Sequence, residues 1–208
     1  SAFEPEGRDA AALVDEAERA VFEIADKGNR RGGFRALGDV LPETVDRLDQ
    51  LHQSGGDVTG LPTGYTEFDK MTAGLQPGDL VIIAGRPSMG KTTFAVNIAE
   101  NAAIGHRKPT AIYSMEMGAE QLAFRMISSL GRVDQTDLRT GKFPDEDWDR
   151  SNTAVQLMSE APIFIDDTPA MSPTEVRARA RRRKREHGLG LIVVDYLQLM
   201  QVPGNTEN

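Results

Sequence analysis

The sequence predicts an α/β protein with a mostly parallel sheet covered by helices on both faces. Three observations support this fold class. Short apolar runs alternate with segments of helical spacing, the runs are apolar at every position, and one run leads into a loop of the pattern Gly-x-x-x-x-Gly-Lys-Thr. Continuous apolar runs are typical of parallel strands, because helices bury both faces of a parallel sheet. We therefore expect one α/β domain, preceded by a separate helical segment.

The composition is that of a globular chain without membrane or disulfide features. Apolar residues make up 39% and charged residues 27% of the 208 residues, which is enough for a core and a charged surface. No apolar run approaches the roughly 20 residues that a membrane-spanning helix needs. The start of the sequence lacks the pattern of a signal peptide, and the absence of cysteine favours a cytoplasmic protein. With a net charge of −8, nucleic-acid binding would require a local basic patch or an assembled channel.

The N-terminal segment carries a predicted amphipathic helix over about residues 10–26. Its apolar face is formed by Leu13, Ala17, Val21 and Ile24. A helix this short is marginally stable alone, so this face either packs on the chain's own core or docks on a neighbouring subunit. We expect residues 1–34 to be a linker region and residues 35–208 to form the nucleotide-binding domain.

Residues 37–84 are expected to hold a second helix, a series of turns and the first strand. The helix is predicted over 37–52, with these inward-facing positions: Val40, Leu41, Val45, Leu48 and Leu51. Residues 59–69 are rich in turn formers, and Pro77 with Gly78 is a turn signal. The apolar run at 80–84 is therefore predicted to be the strand that feeds the following loop.

Residues 85–92 form a phosphate-loop motif between that strand and a helix. Glycines let the backbone approach phosphate closely, and the loop N–H groups and the helix N-terminus face the negative charge. Lys91 supplies a cation for the outer phosphates, and Thr92 supplies a hydroxyl for Mg²⁺. The predicted nucleotide-binding residues are Gly85, Arg86, Pro87, Ser88, Met89, Gly90, Lys91, Thr92 and Thr93. The motif predicts a protein that binds a nucleoside triphosphate with Mg²⁺.

Beyond the loop, strands and helices alternate. Helices are predicted over 94–103, 118–130 and 148–160, and strands over 110–115, 163–165 and 191–194. Ser172, Pro173 and Glu175 form a capping-box pattern that opens a last helix ending before Gly188.

Acidic residues follow three of the predicted strands. Asp195 follows the last strand, where α/β sheets open toward their ligands, and is the candidate Mg²⁺-side carboxylate that works with Thr92. Glu116 follows the strand at 110–115, from where a carboxylate can polarise water as a general base. A capping role for Glu116 is the alternative. Asp166 and Asp167 are interpreted as structural.

Seven cations lie along the last helix: Arg177, Arg179, Arg181, Arg182, Arg183, Lys184 and Arg185. They could contact phosphate backbones, or they could form a solvated outer face near the helix C-terminus. The second interpretation is favoured, because no aromatic residue is interleaved for base stacking. The sequence assigns no DNA-binding residue.

Several motifs together resemble the DnaB family of bacterial replicative DNA helicases. These are residues 85–93 (GRPSMGKTT), 113–117 (YSMEM), 132–136 (RVDQT) and 195–200 (DYLQLM), with 59–64, 72–79 and 174–177 in support. The resemblance implies a RecA-like ATPase that assembles as a homo-hexamer around single-stranded DNA, binds ATP between subunits, and meets primase and a helicase loader at the bacterial replication fork. It implies that Lys91 and Thr92 hold the triphosphate and Mg²⁺, that Glu116 activates water, and that Asp195 is the second metal-side acid. By the same resemblance, residues 10–26 are the linker helix that docks on the adjacent subunit, and Arg125 falls on a family arginine.

The sequence also departs from the family. The N-terminal domain that meets primase has no counterpart, and little sequence follows Asp195, where the family continues with further strands, DNA-facing loops and an arginine finger. We therefore expect a sheet that is incomplete at its C-terminal side and weak hydrolysis by this chain alone, because an arginine finger is worth about 10³–10⁵ in rate. Two alternatives stay open: a RecA-like recombinase or clock-type ATPase, and a binding module that recruits a partner through residues 10–26.

Overall fold

The computed structural model describes residues 34–56 and 58–201, which divide into two compact units between Gly55 and Gly56. The first unit contains helix α1, Leu37–Ser54, which the sequence predicts over 37–52 and which ends at Gly55 in the left-handed conformation. Three of the predicted inward positions, Leu41, Val45 and Leu48, are wrong, since each is about half exposed. The other two, Val40 and Leu51, are partly buried. The linker region and its helix at 10–26 lie outside the described residues, and the predicted boundary at 34/35 stays a prediction.

The second unit alternates helices and strands. In chain order it contains α2 Thr66–Thr72, α3 Lys91–Glu100 with a π-helical turn Asn101–Gly105, β1 Thr110–Ser114, α4 Ala119–Gly131, α5 Gln135–Thr140, α6 Asp145–Ser159, β2 Ile163–Asp166, α7 Pro173–His187, β3 Leu191–Asp195 and a 3₁₀ turn Leu197–Leu199. The predicted helices and strands from residue 94 onward are confirmed. Sequence reasoning missed α2 and α5.

Helix α5 had a local signal that could have found it. The side chain of Asp134 accepts hydrogen bonds from the backbone N–H groups of Thr136 and Asp137, at 2.7 and 3.4 Å. These bonds cap the helix and lower the pKa of the Asp134 carboxyl. Gly141, in the left-handed conformation, ends the helix.

The sheet is parallel, as predicted, with strand order β2-β1-β3 in the described residues. In its register Tyr113 lies opposite Asp166, and Ser114 lies opposite Asp195. The three strands therefore end together at one border of the sheet, which we call the carboxyl edge: Ser114 to Glu116, Asp166 with Asp167, and Asp195.

Helices cover both faces of β1, because successive strand side chains point to opposite sides. Ile112 packs with buried residues of α3 and α4: Val96, Ala99, Leu122 and Met126. Ala111 and Tyr113 pack on the other face with Met171 and with Ala180 of α7. The predicted two-sided covering of the sheet is confirmed.

The predicted strand at 80–84 is wrong for the described structure. These residues form no ladder with the sheet, and Leu80 and Ile82 are 82% and 67% exposed. A strand needs a neighbour to pair its backbone N–H and C=O groups, and apolar composition cannot supply one. No described segment pairs with residues 80–84.

The segment before the phosphate loop is anchored on α3. The rings of Tyr65 and Phe68 pack against Phe94, with centroid distances of 4.6 and 5.8 Å. Tyr65 also accepts a hydrogen bond from Asn97 of α3 at 3.1 Å. These contacts fix the helix that follows the loop.

The capping box at the start of α7 is confirmed. The backbone N–H of Ser172 donates to Glu175, and that of Glu175 donates to the Ser172 hydroxyl, at 2.8 and 3.2 Å. Pro173 occupies the first turn, and Gly188 follows the last residue of the helix.

Candidate nucleotide-binding site

The phosphate loop runs directly into α3. Gly90 precedes the helix with φ of 85°, a conformation that glycine adopts without steric cost. Inside the loop, the N–H of Met89 donates to the carbonyl of Arg86 at 3.3 Å. The free N–H groups at the start of α3 therefore border the loop, and such groups bind phosphate oxygens.

Lys91 folds back over this loop. Its ammonium donates to the carbonyl oxygens of Gly85 and Arg86, at 2.9 and 3.3 Å. The cation is held at the loop by two neutral acceptors, which an anionic phosphate can replace.

Thr92 and Asp195 meet although they are far apart in sequence. The Thr92 hydroxyl donates to Oδ2 of Asp195 at 2.8 Å. Asp195 is only 8% exposed, and its carboxylate forms no ion pair within the described residues. A buried carboxylate paired only with a neutral hydroxyl favours a nearby cation. Hydroxyl and carboxylate oxygens are ligands that Mg²⁺ accepts, so this donor set fits the expected metal.

Glu116 follows the end of the neighbouring strand β1, two residues after Ser114, which is paired with Asp195. The N–H of Met115 donates to the carbonyl of Asp195 at 2.8 Å, which ties the end of β1 to the end of β3. Glu116 itself is exposed, and its carboxylate makes no hydrogen bond within the described part of the chain. It can therefore accept a proton from water, as a general base must.

Arg125 is a further side chain next to the loop. Its Nη1 donates to the Thr93 hydroxyl at 3.2 Å, while its Nε is buried without a partner among the described residues. This contact joins α4 to the first turn of α3.

The cations of α7 divide into two groups. Arg179 contacts Asp166, Arg182 contacts Glu186 at 3.0 Å, and the Arg183 guanidinium lies 3.1 Å from the ring centroid of Phe164. The remaining cations are exposed: Arg177, Arg181, Lys184 and Arg185. The helix thus uses three cations for internal contacts, and the geometry assigns no DNA contact to the others.

A model of the DnaB-like helicase C terminal domain matches residues 60–208. The chain belongs to the DnaB-like helicase family. Among curated relatives it is 48% identical over 196 residues to the replicative DNA helicase DnaC of Bacillus subtilis (strain 168), covering 94% of this chain and 43% of that protein. It is also 48% identical over 214 residues to the replicative DNA helicase DnaB of Haemophilus influenzae, covering 100% of this chain and 46% of that protein.

Solved structures agree with this family. One solved ATPase domain superposes with a TM-score of 0.74 at 30% identity, covering 81% of this chain and 61% of that one. A DnaB-like replicative helicase described with its interactions with primase gives a TM-score of 0.73 at 29% identity, covering 94% and 46% of the two chains. The RecA-like fold expected from the sequence is confirmed.

The DnaB-like chain spans less than half the length of the curated relatives that it matches. Among its described helices, none is long and apolar enough to cross a membrane.

Proposed function

We propose that this chain is the ATPase domain of a replicative DNA helicase, coupling ATP hydrolysis to movement along single-stranded DNA and to duplex unwinding. The observation that carries the proposal is the 2.8 Å bond between Thr92 and Asp195. It joins the phosphate loop to a strand-end carboxylate, beside Glu116, in a chain of the DnaB-like family.

The site residues have distinct roles in this proposal. The loop at 85–93 and Lys91 bind the triphosphate of ATP. Thr92 and Asp195 would hold Mg²⁺, which would neutralise charge on the phosphates. Glu116 orients and deprotonates the attacking water, because its carboxylate is exposed and unengaged.

We further propose that the active unit is a homo-hexamer with ATP between subunits. In this arrangement the helix at 10–26 docks on the adjacent subunit, and a neighbouring arginine acts on the phosphates in trans. Primase is a proposed partner, supported by the related helicase described with its interactions with primase. A helicase loader and a cytoplasmic location at the bacterial replication fork complete the proposal.

Hydrolysis of ATP and unwinding of a forked duplex, measured with and without single-stranded DNA, test this function. Lys91→Ala should abolish nucleotide binding and DNA-stimulated hydrolysis, because it removes the loop cation. Lys142→Ala is the matched control, since this exposed lysine follows α5 and is not part of the loop motif, and it should behave as wild type.

The same variants separate the alternatives. A recombinase would exchange strands without unwinding the fork. An interaction module would keep its partner affinity in Lys91→Ala, whereas an ATP-driven motor loses its ATP-dependent function. If wild type and Lys91→Ala bind ATP equally and hydrolyse it equally, an ATPase role is refuted.

A further inference from the structure

We propose that Ser114 is a positioning residue of the ATPase site, which holds the turn carrying Glu116. The inference rests on the proposed function, in which Glu116 activates water. Ser114 is the last residue of β1, lies two residues before Glu116, and is only 1% exposed. A hydroxyl buried at this point must satisfy its hydrogen bonds within the protein.

The Ser114 hydroxyl bonds both backbone groups of one residue. Its Oγ donates to the carbonyl of Met117 at 2.7 Å, and the N–H of Met117 donates to the same Oγ at 3.2 Å. A serine hydroxyl can do both, because it has one proton and two lone pairs. The two bonds close the turn that contains Met115 and Glu116, and no alanine could form either of them.

The turn is fixed on both sides of this closure. Before Glu116, the N–H of Met115 donates to the carbonyl of Asp195 at 2.8 Å. After it, the N–H of Ala119 donates to Oδ2 of Asp167 at 2.9 Å. The chain is therefore anchored at Met115, which is bonded to the end of β3, and at Ala119, which is bonded to Asp167 beyond the end of β2. Ser114 determines the conformation of the turn between these two residues.

Glu116 depends on this backbone because its side chain has no support of its own. Its carboxylate is exposed and makes no hydrogen bond to the rest of the described chain. Where contacts do not hold a side chain, the backbone of its turn determines where its carboxylate lies. Loss of the Ser114 hydroxyl should displace the base without altering the phosphate loop.

Ser114→Ala tests the inference in the full chain. The measurements are the single-turnover rate of ATP hydrolysis with Mg²⁺ and the dissociation constant for ATP. We expect the rate to fall by about 10-fold to 100-fold, as small misplacements of reacting groups do, with an unchanged dissociation constant. Ser114→Thr keeps the hydroxyl and should recover most of the rate.

Ser128→Ala is the matched control. The Ser128 hydroxyl also donates to a backbone carbonyl, that of Val133 at 2.6 Å, but it does so at the far end of α4. Its rate of hydrolysis should equal that of wild type. If Ser114→Ala does not fold, Ser114→Cys carries the same test, because a thiol is a weak donor and acceptor.

A double substitution distinguishes positioning from general stability. In a Glu116→Gln background, Ser114→Ala should slow hydrolysis no further, because it acts only through Glu116. An equal additional loss in that background, or a wild-type rate for Ser114→Ala alone, would overturn the inference and leave the proposed function standing. If Glu116→Gln hydrolyses ATP as fast as wild type, it is the proposed role of Glu116 that fails.

Discussion

The strand ends of the carboxyl edge carry the same kind of residue in two different environments. At the end of β2, Asp166 is bonded through both oxygens to Arg179, at 2.9 and 2.7 Å, and Asp167 accepts the N–H of Ala119. Beyond β1, the Glu116 carboxylate has no partner in the described residues. At the end of β3, the Asp195 carboxylate is bonded, among the described residues, only to the neutral hydroxyl of Thr92. One pair of acids stabilises the fold, whereas the other pair is available for a ligand.

A position at a strand end therefore does not by itself identify a catalytic acid. Partial burial opposes ionisation of Asp166, but hydrogen bonds from Arg179 and Thr168 outweigh it and lower the pKa of this carboxyl. Its charge is already neutralised within the chain. Asp195 is more deeply buried and has no such cation among the residues that the structure describes, so a Mg²⁺ ion could meet its charge.

The largest expected difference between the two pairs is in the rate of hydrolysis. Glu116→Gln should slow single-turnover ATP hydrolysis by about 10²–10⁴-fold, because it removes a general base. Asp166→Asn should leave the rate unchanged, since its charge faces Arg179 instead of the nucleotide. If the two variants lose the same fraction of the hydrolysis rate, Glu116 and Asp166 do not differ in role.

Glu100, a buried acid away from the carboxyl edge, should make the stability of the protein depend on pH. Burial raises the pKa of Glu100 in α3 from 4.5 to about 7, only partly offset by a hydrogen bond from Ser129. Because the folded-state pKa is the higher one, the contribution of Glu100 to the free energy of unfolding should be largest below pH 4.5 and fall as the pH rises through 7, by no more than about 3 kcal/mol.

Denaturant titrations between pH 4.5 and 8 measure this effect. Glu100→Gln should lose that part of the pH dependence and be more stable than wild type at pH 8. Glu120→Gln, an exposed change on α4, is the control and should keep the wild-type profile. An unaltered profile in Glu100→Gln would show that another group titrates.

The metal-side acid should differ from its structural counterpart in Mg²⁺ dependence. Asp195→Asn should raise the Mg²⁺ concentration for half-maximal hydrolysis by about 10-fold to 100-fold, because it removes a charge near the metal. Asp167→Asn retains an acceptor for Ala119 and should leave the Mg²⁺ requirement unchanged. A Mg²⁺ titration of hydrolysis gives both values, and a normal requirement in Asp195→Asn would contradict its proposed role.

The smallest effect concerns the ion pair at the end of β2. Arg179→Met should lower the free energy of unfolding by about 1 kcal/mol, since both side chains are partly exposed to solvent. Because the folded pKa of Asp166 is lowered, this contribution should be present above pH 3.8 and disappear as the pH falls through the folded-state pKa. Urea titrations at several pH values measure this contribution. Arg181→Met removes an exposed arginine of the same helix and should leave the free energy of unfolding unchanged.

Much of the fold could be predicted from local sequence signals. The capping box at Ser172, the glycine stop at Gly188 and the continuous apolar strands each depend on neighbours a few residues away. The strand at 80–84 could not be predicted correctly in the same way, because its existence depends on a pairing partner elsewhere. The spacing of apolar residues in α1 likewise predicts a helix, but it does not predict which residues pack on its apolar face.

The phosphate loop, the order of helices and parallel strands, and the acids that follow the strands can all be read from the sequence. Which acids have partners cannot, because those partners are distant in sequence: Arg179 for Asp166, Ala119 for Asp167 and Thr92 for Asp195. The hydrogen bond by which Ser114 closes the Glu116 turn could not be predicted from the sequence either, since the partner of a buried hydroxyl depends on the folded backbone. Local patterns specify backbone conformation, whereas the charge state of a site depends on groups that folding brings together.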